Sequence, residues 1–158
     1  MKRTYFIPIA FIAFLAIVIL PSCRFRCIKG SGNHVSENHK VSDFTRINVS
    51  GGFKVTLKQD SSLNVSINAD DNLMKYIHVE SDGDELKVYY KKNVCPSGQM
   101  EISIGVRNLE KLKGSGAINF VSDGKINTKD LDIKLNGASN INMDLSAANV
   151  STESAGAS

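Results

Sequence analysis

From about residue 41 to the end of the chain, apolar and polar residues alternate with a period of two, the pattern of short half-buried β-strands. Ile47 and Val49, then Phe53, Val55 and Leu57, then Leu63, Val65 and Ile67 form successive apolar groups, separated by Gly51-Gly52 and by Asp60-Ser61-Ser62. The stretch from Asp70 to Tyr76 breaks the alternation and predicts one helical turn or bend, with an N-cap before Leu73. Ile77 and Val79 resume it, and Asp82-Gly83-Asp84 predicts a tight turn into Leu86, Val88 and Tyr90. A loop at Cys95-Pro96-Ser97-Gly98 precedes Met100, Ile102, Ile104 and Val106. No stretch carries the period of a long amphipathic helix, which argues against βαβ folds and for an all-β domain.

Beyond Leu109 the pattern is quasi-periodic. Leu112 to Phe120 reads LKGSGAINF and Leu135 to Met143 reads LNGASNINM, an ungapped match at an offset of 23 residues, and Ala155 to Ser158 reads AGAS. Such repetition predicts a coiled β architecture whose turns stack, with Ile118 over Ile141, Phe120 over Met143, and Asn119 and Asn142 in one ladder. A β-sandwich in which two hairpins happen to be alike is the alternative. A stack ending inside a third copy leaves an unpaired edge, so the chain is expected to be a fragment, incomplete at its C-terminus.

The N-terminus has a different character. Lys2 and Arg3 precede an apolar run from Tyr5 to Leu20, interrupted by Pro8 and followed by Leu20-Pro21-Ser22-Cys23. A basic start, a short apolar stretch and small residues before a cut site predict a signal peptide over 1–22. A membrane-spanning helix needs about 20 apolar residues. The Leu-x-Ser-Cys ending resembles the bacterial lipobox, which makes Cys23 the expected lipid attachment site. Arg24 stands where an aspartate would suggest inner-membrane retention, so an outer-membrane lipoprotein is expected, facing either the periplasm or the exterior. Acyl chains contribute about 0.8 kcal/mol per buried methylene and would hold the chain on its membrane.

Residues 23–40 are polar, contain Gly30-Ser31-Gly32 and lack apolar periodicity, which predicts a tether before a single domain over 41–158. The net charge of +3 includes Lys2 and Arg3, so the chain from Cys23 carries +1. With no Trp and no basic stripe, nucleic acid is not an expected partner. If Cys23 is acylated, Cys27 and Cys95 form an even pair in an oxidising compartment and are either a disulfide or two separate thiols.

Candidate chemistry is sparse. His34 and His39 flank Glu37, but without the two-histidine helix spacing of a zinc site, and no metal or other cofactor is expected. His78, between Ile77 and Val79, should face away from them. The acidic run from Glu80 to Glu85 lacks the ligand spacing of a calcium loop and is explained by its Asp-Gly turn. No Gly-x-Ser-x-Gly elbow is present, and Asp130 and Asp132, a carboxylate pair of the kind glycoside hydrolysis uses, equally suit an exposed strand face.

Three groups of residues together resemble a known bacterial family: Gly30-Ser31-Gly32-Asn33 with the run Val41 to Leu57, VSDFTRINVSGGFKVTL; then Asp70-Asp71-Asn72-Leu73; then the Leu-x-Gly-Ser-Gly and Leu-x-Gly-Ala-Ser repeats. They are similar to the auto-transporter adhesin, head GIN domain family of Bacteroidetes lipoproteins. The resemblance implies a right-handed β-solenoid, adhesion rather than catalysis, and no catalytic residues. The resulting expectation is a non-enzymatic binding module of the cell envelope, its partners being the membrane and envelope or host glycan or protein. The alternatives are a structural envelope scaffold without a diffusible ligand and an enzyme acting on polysaccharide.

Overall fold

The computed structural model describes residues 26–157. The signal peptide expected over 1–22 and the lipid site expected at Cys23 lie outside them. The described chain is all-β apart from one helical turn, α1 (Asp71–Met74). Two short strands, β1 (Ile28–Lys29) and β7 (Val94–Cys95), pair with each other. All others belong to one mixed ten-stranded sheet.

Two long strands organise that sheet, β3 (Arg46–Gln59) and β9 (Lys111–Asn127). They run parallel and in register from Arg46↔Lys111 to Leu57↔Ser122. The first half of β3 also pairs with β6 (Glu85–Tyr90), which continues to β5 (Ile77–Asp82). The second half of β3 pairs with β8 (Glu101–Val106), which continues through β4 (Asn64–Asp70) to β2 (His34–Lys40). On the other side, the first half of β9 pairs with β10 (Asp130–Gly137) and then β12 (Asn149–Gly156), and its second half pairs with β11 (Asn140–Ser146). The apolar alternates of both halves, including Ile47, Val49, Val55, Leu57, Leu112, Phe120 and Ile133, form one core.

Gly51-Gly52 therefore does not end a strand, as a turn signal would. It is a corner inside β3, at which the strand exchanges one set of neighbours for another. The corner recurs along β9, β10 and β12: Gly51, Gly116, Gly137 and Gly156 are paired in sequence, with φ of +137°, +113°, +97° and +109°. Only glycine adopts such angles without strain. A Cβ on Gly116 would lie 2.3 Å from the Gly51 carbonyl oxygen, and one on Gly137 would lie 2.6 Å from that of Gly116.

This glycine column corrects the repeat offset. Gly137 pairs with Gly116 rather than with Gly114, so Phe120 pairs with Ile141 and Asn119 with Asn140, 21 residues apart. Between β10 and β12 the offset is 19. Ile118 does not sit over Ile141, nor Asn119 beside Asn142. The displacement from 23 to 21 is even, so each side chain keeps the face that alternation assigns to it.

The tether expected over 23–40 does not describe residues 28–40. Residues 28–29 form β1 and 34–40 form β2, which pairs antiparallel with β4 from His34↔Asp70 to Lys40↔Asn64. At the sheet edge, β2 is exposed along most of its length, which is why its composition is as polar as that of a linker.

Candidate binding surface

The first described residues are held by a polar cluster at the end of β4. Asp70 is fully buried, and its carboxylate accepts hydrogen bonds from the Gly32 N–H (2.8 Å), the Ser97 N–H (2.9 Å) and the Ser97 hydroxyl (2.5 Å). These bonds, the Ser97 hydroxyl foremost, hold its pKa below the ordinary carboxylate value. Asp70 stands at the N-cap of α1 yet makes no side-chain cap; its carboxylate is turned to Gly32 and Ser97 instead. Asp71 accepts from the Ser31 hydroxyl (2.5 Å) and Asn33 Nδ2 (2.9 Å), while Asn72 accepts from the Ser31 N–H and donates to the Lys29 carbonyl. The Gly-Ser-Gly-Asn and Asp-Asp-Asn segments, 40 residues apart, are thus two sides of one clasp. A disulfide between Cys27 and Cys95 lies in the same region.

The two halves of the sheet present different outer faces. On the first half, charges are paired across strands. Lys111 Nζ is 2.5 Å from Asp132, Lys113 Nζ is 2.9 Å from Glu85, Arg46 Nε is 3.2 Å from Asp84, and Lys134 pairs with Glu153. Lys111 lowers the Asp132 pKa, Lys113 lowers that of Glu85, and Glu153 raises that of Lys134. The acidic run disperses among separate partners: Glu80 accepts from the Tyr89 hydroxyl and Asp82 from Lys87. Asp130 accepts from Asn149 Nδ2 at 2.7 Å. Asp130 and Asp132 are therefore each committed to a neighbouring strand. His78 faces outward and stacks on Tyr89.

On the second half, the register aligns Asn140, Asn119, Lys54, Glu101, Asn68 and Ser36 in one row across six strands. At about 4.8 Å per strand the row is roughly 24 Å long. Asn140 Nδ2 donates to Asn119 Oδ1 (3.3 Å), Lys54 to Glu101 (2.9 Å), and Asn68 Nδ2 to Ser36 Oγ (3.1 Å). A primary amide offers two donors and two acceptor lone pairs, so the asparagines keep hydrogen-bonding capacity directed outward. At one end the row meets a groove of about 390 Å³, walled by Pro96, Gln99, Asn119 and Asn140 over the small residues Gly52 and Ala117. A second groove, of about 500 Å³, lies over Glu110, Thr128, Asp130 and Asn149 at the strand ends.

Of the histidines considered for a metal, His34 contacts Asn68 and Ser97, and His39 lies 3.3 Å from Glu37. Among the described residues, no group of three or more His, Cys, Asp or Glu is arranged to hold a metal ion. No described helix is long and apolar enough to cross a membrane. The amide row has a weak sequence signal, outward Asn and Ser on alternating strands, but its continuity depends on the register between strands far apart in the chain.

Residues 43–158 match the family described as "Putative auto-transporter adhesin, head GIN domain", and the chain belongs to that family. The solved structure of a "Putative lipid binding protein" from Parabacteroides distasonis superposes with a TM-score of 0.72 at 22% identity, over 82% of this chain and 65% of that one. A "putative adhesin" from Bacteroides fragilis gives 0.67 at 21% identity, over 82% and 62%. One from Parabacteroides merdae gives 0.63 at 19%, over 81% and 61%. The chain thus spans less than two thirds of each of these solved structures, and the likeness is one of fold. Among curated proteins, none matches the chain.

Proposed function

We propose that this chain is a non-enzymatic adhesion module of the cell envelope, held to a membrane through Cys23 and binding glycan or protein on the amide row of its sheet. The row of Asn140, Asn119, Lys54, Glu101, Asn68 and Ser36 carries the proposal. It offers amide and hydroxyl donors and acceptors on either side of the Lys54–Glu101 ion pair, over a length comparable to several sugar units or an extended peptide, whereas the other half of the sheet pairs charges across most of its strands. Relatives named for adhesion and for lipid binding support a binding role over a catalytic one. The glycine column, with its parallel neighbours offset by 21 and 19 residues, supports a solenoid-like stack over a sandwich.

The test is a panel of envelope polysaccharides, host glycans and envelope proteins presented to the purified chain. A ligand should be retained by the native chain and lost about tenfold in the Asn119→Ala/Asn140→Ala double variant, since each net hydrogen bond contributes roughly 0.5–1.5 kcal/mol. Absence of binding by the native chain across the whole panel would sink the adhesion role and favour an envelope scaffold. Palmitate labelling that is lost in Cys23→Ala checks the anchor.

A further inference from the structure

Residues 26–157 hold 16 cations and 16 anions, since Lys2, Arg3 and Arg24 account for the other three of the 19 cations. These charges are unevenly placed. On the charge-paired face the lysines lie within 4.0 Å of carboxylates on neighbouring strands. Arg26, Lys29, Lys75 and Lys92, all exposed, have no carboxylate within that distance among the described residues, and Lys91 reaches Glu80 only at 4.0 Å.

Backbone and side-chain bonds gather these five cations from three segments into one region. The Ile28 N–H donates to the Asn93 carbonyl, which places Lys29 and Arg26 beside Lys91 and Lys92; the disulfide joins the same segments one step further along. The Lys91 N–H donates to the Tyr76 carbonyl, which brings in Lys75. Asn72 Nδ2 donates to the Lys29 carbonyl, closing the circuit from α1 back to β1. Lys75 Nζ lies 5.2 Å from the Tyr76 ring centre and Lys91 Nζ 5.7 Å from that of Tyr89, so two aromatic rings belong to the patch. Opposing the five cations locally are Glu80, 4.0 Å from Lys91, and the clasp carboxylates Asp70 and Asp71, which are bonded to Gly32, Ser97, Ser31 and Asn33.

We infer that this patch is a membrane-facing surface, at which Arg26, Lys29, Lys75, Lys91 and Lys92 rest against anionic phospholipid headgroups beside the point where the chain leaves Cys23. The inference rests on the membrane-anchored function proposed above. Charge complementarity selects the occupant: a planar anionic surface engages cations from three segments at once, and tyrosine rings suit the headgroup layer. Cys23 is three residues from Arg26, so an anchored chain is held with the patch close to the bilayer. Two signals, an acyl anchor and a polybasic patch, reinforce one another. The patch would set the orientation of the domain and thereby which of its faces is turned outward.

The experiment is vesicle flotation of the full chain with phosphatidylcholine alone or with added phosphatidylglycerol, at low and moderate salt. The apolar N-terminus contributes to both vesicle types, so the readout is the increment due to phosphatidylglycerol. That increment should fall as salt shortens the screening length, about 10 Å at 0.1 M. It should drop roughly fivefold per lysine in Lys75→Gln/Lys91→Gln/Lys92→Gln, and persist in the ion-paired control Lys111→Gln/Lys113→Gln/Lys134→Gln. A triple variant that keeps the native increment would overturn the inference, as would lysine-dependent binding to a soluble polyanionic glycan with none to the vesicles. Cys23→Ala separates the two ideas. If this variant keeps the increment, the patch acts without the anchor; absence of acylation on the native chain refutes the anchor alone.

Discussion

Replacing Gly116 by alanine probes the corner at its tightest point. The residue has φ of +113°, and an added Cβ would lie 2.3 Å from the Gly51 carbonyl oxygen and 3.1 Å from its carbon. The conformational part alone costs about 1–3 kcal/mol, the range for a side chain held in a sparsely populated backbone region. The overlap is with backbone and cannot be relieved by turning a side chain, so β3 and β9 must separate at the corner. Such a movement endangers the Ala138 N–H bond to the Gly116 carbonyl (2.9 Å) and that of the Ser139 hydroxyl (3.3 Å), each contributing roughly 0.5–1.5 kcal/mol. The expected loss is therefore about 2–6 kcal/mol out of a typical total of 5–15. Gly124→Ala is the matched control, because Gly124 has φ of +87° but nothing within 4 Å of an added Cβ. It should lose only the conformational part, about 1–3 kcal/mol. Urea unfolding followed by far-UV circular dichroism gives both values. If Gly116→Ala falls within 0.5 kcal/mol of Gly124→Ala, close approach of the corner backbones is not what selects glycine there, and the column loses its explanation.

The Cys27–Cys95 bridge closes a loop with a sequence separation of 68, for which chain entropy predicts about 4 kcal/mol; the Cys27→Ala/Cys95→Ala variant should lose most of that in the same unfolding assay, and an unchanged midpoint would contradict it. The folded-state pKa of Asp70 lies below its unfolded value, so the stability it contributes is present above the unfolded pKa and is lost as pH falls through the folded one. Asp70→Asn should accordingly be less stable at neutral pH and show a shallower acid decline; parallel stability–pH curves for the two proteins would refute this. Phe120 is fully buried, with its ring under Gly114, and Phe120→Ala should cost about 3–5 kcal/mol in the same measurement.

Alternation alone located most of the interior. Ile47, Val49, Phe53, Val55 and Leu57 are all buried, as are Ile102, Ile104, Ile118 and Phe120, because a period-two pattern is a local consequence of the pleat. Register is not local. Matching Leu112 to Leu135 aligns letters, whereas the folded chain aligns glycines of positive φ, and Gly116 rather than Gly114 carries that property. Residues 34–40 were illegible as a strand for a related reason: an edge strand with little inward packing needs no apolar alternates, and its polar composition also suits a linker. The clasp around Asp70 left a trace in the sequence, two polar motifs 40 residues apart, but only the closure of β4 against β2 brings them together. The amide row has the same dependence on long-range pairing.

The covalent link between Cys27 and Cys95 also determines how the domain bears load. A pull on residue 27 toward its N-terminal side, such as an anchored protein feels when its ligand is dragged by flow, passes through the sulfur bridge directly to residue 95. At the anchor end the bridge bypasses the segment between the two cysteines, which holds β1 to β6 and both sides of the clasp. Force then enters the domain at the loop leading to β8, one strand away from β3, so the sheet is stressed near its middle and its exposed edge strand is not peeled away first.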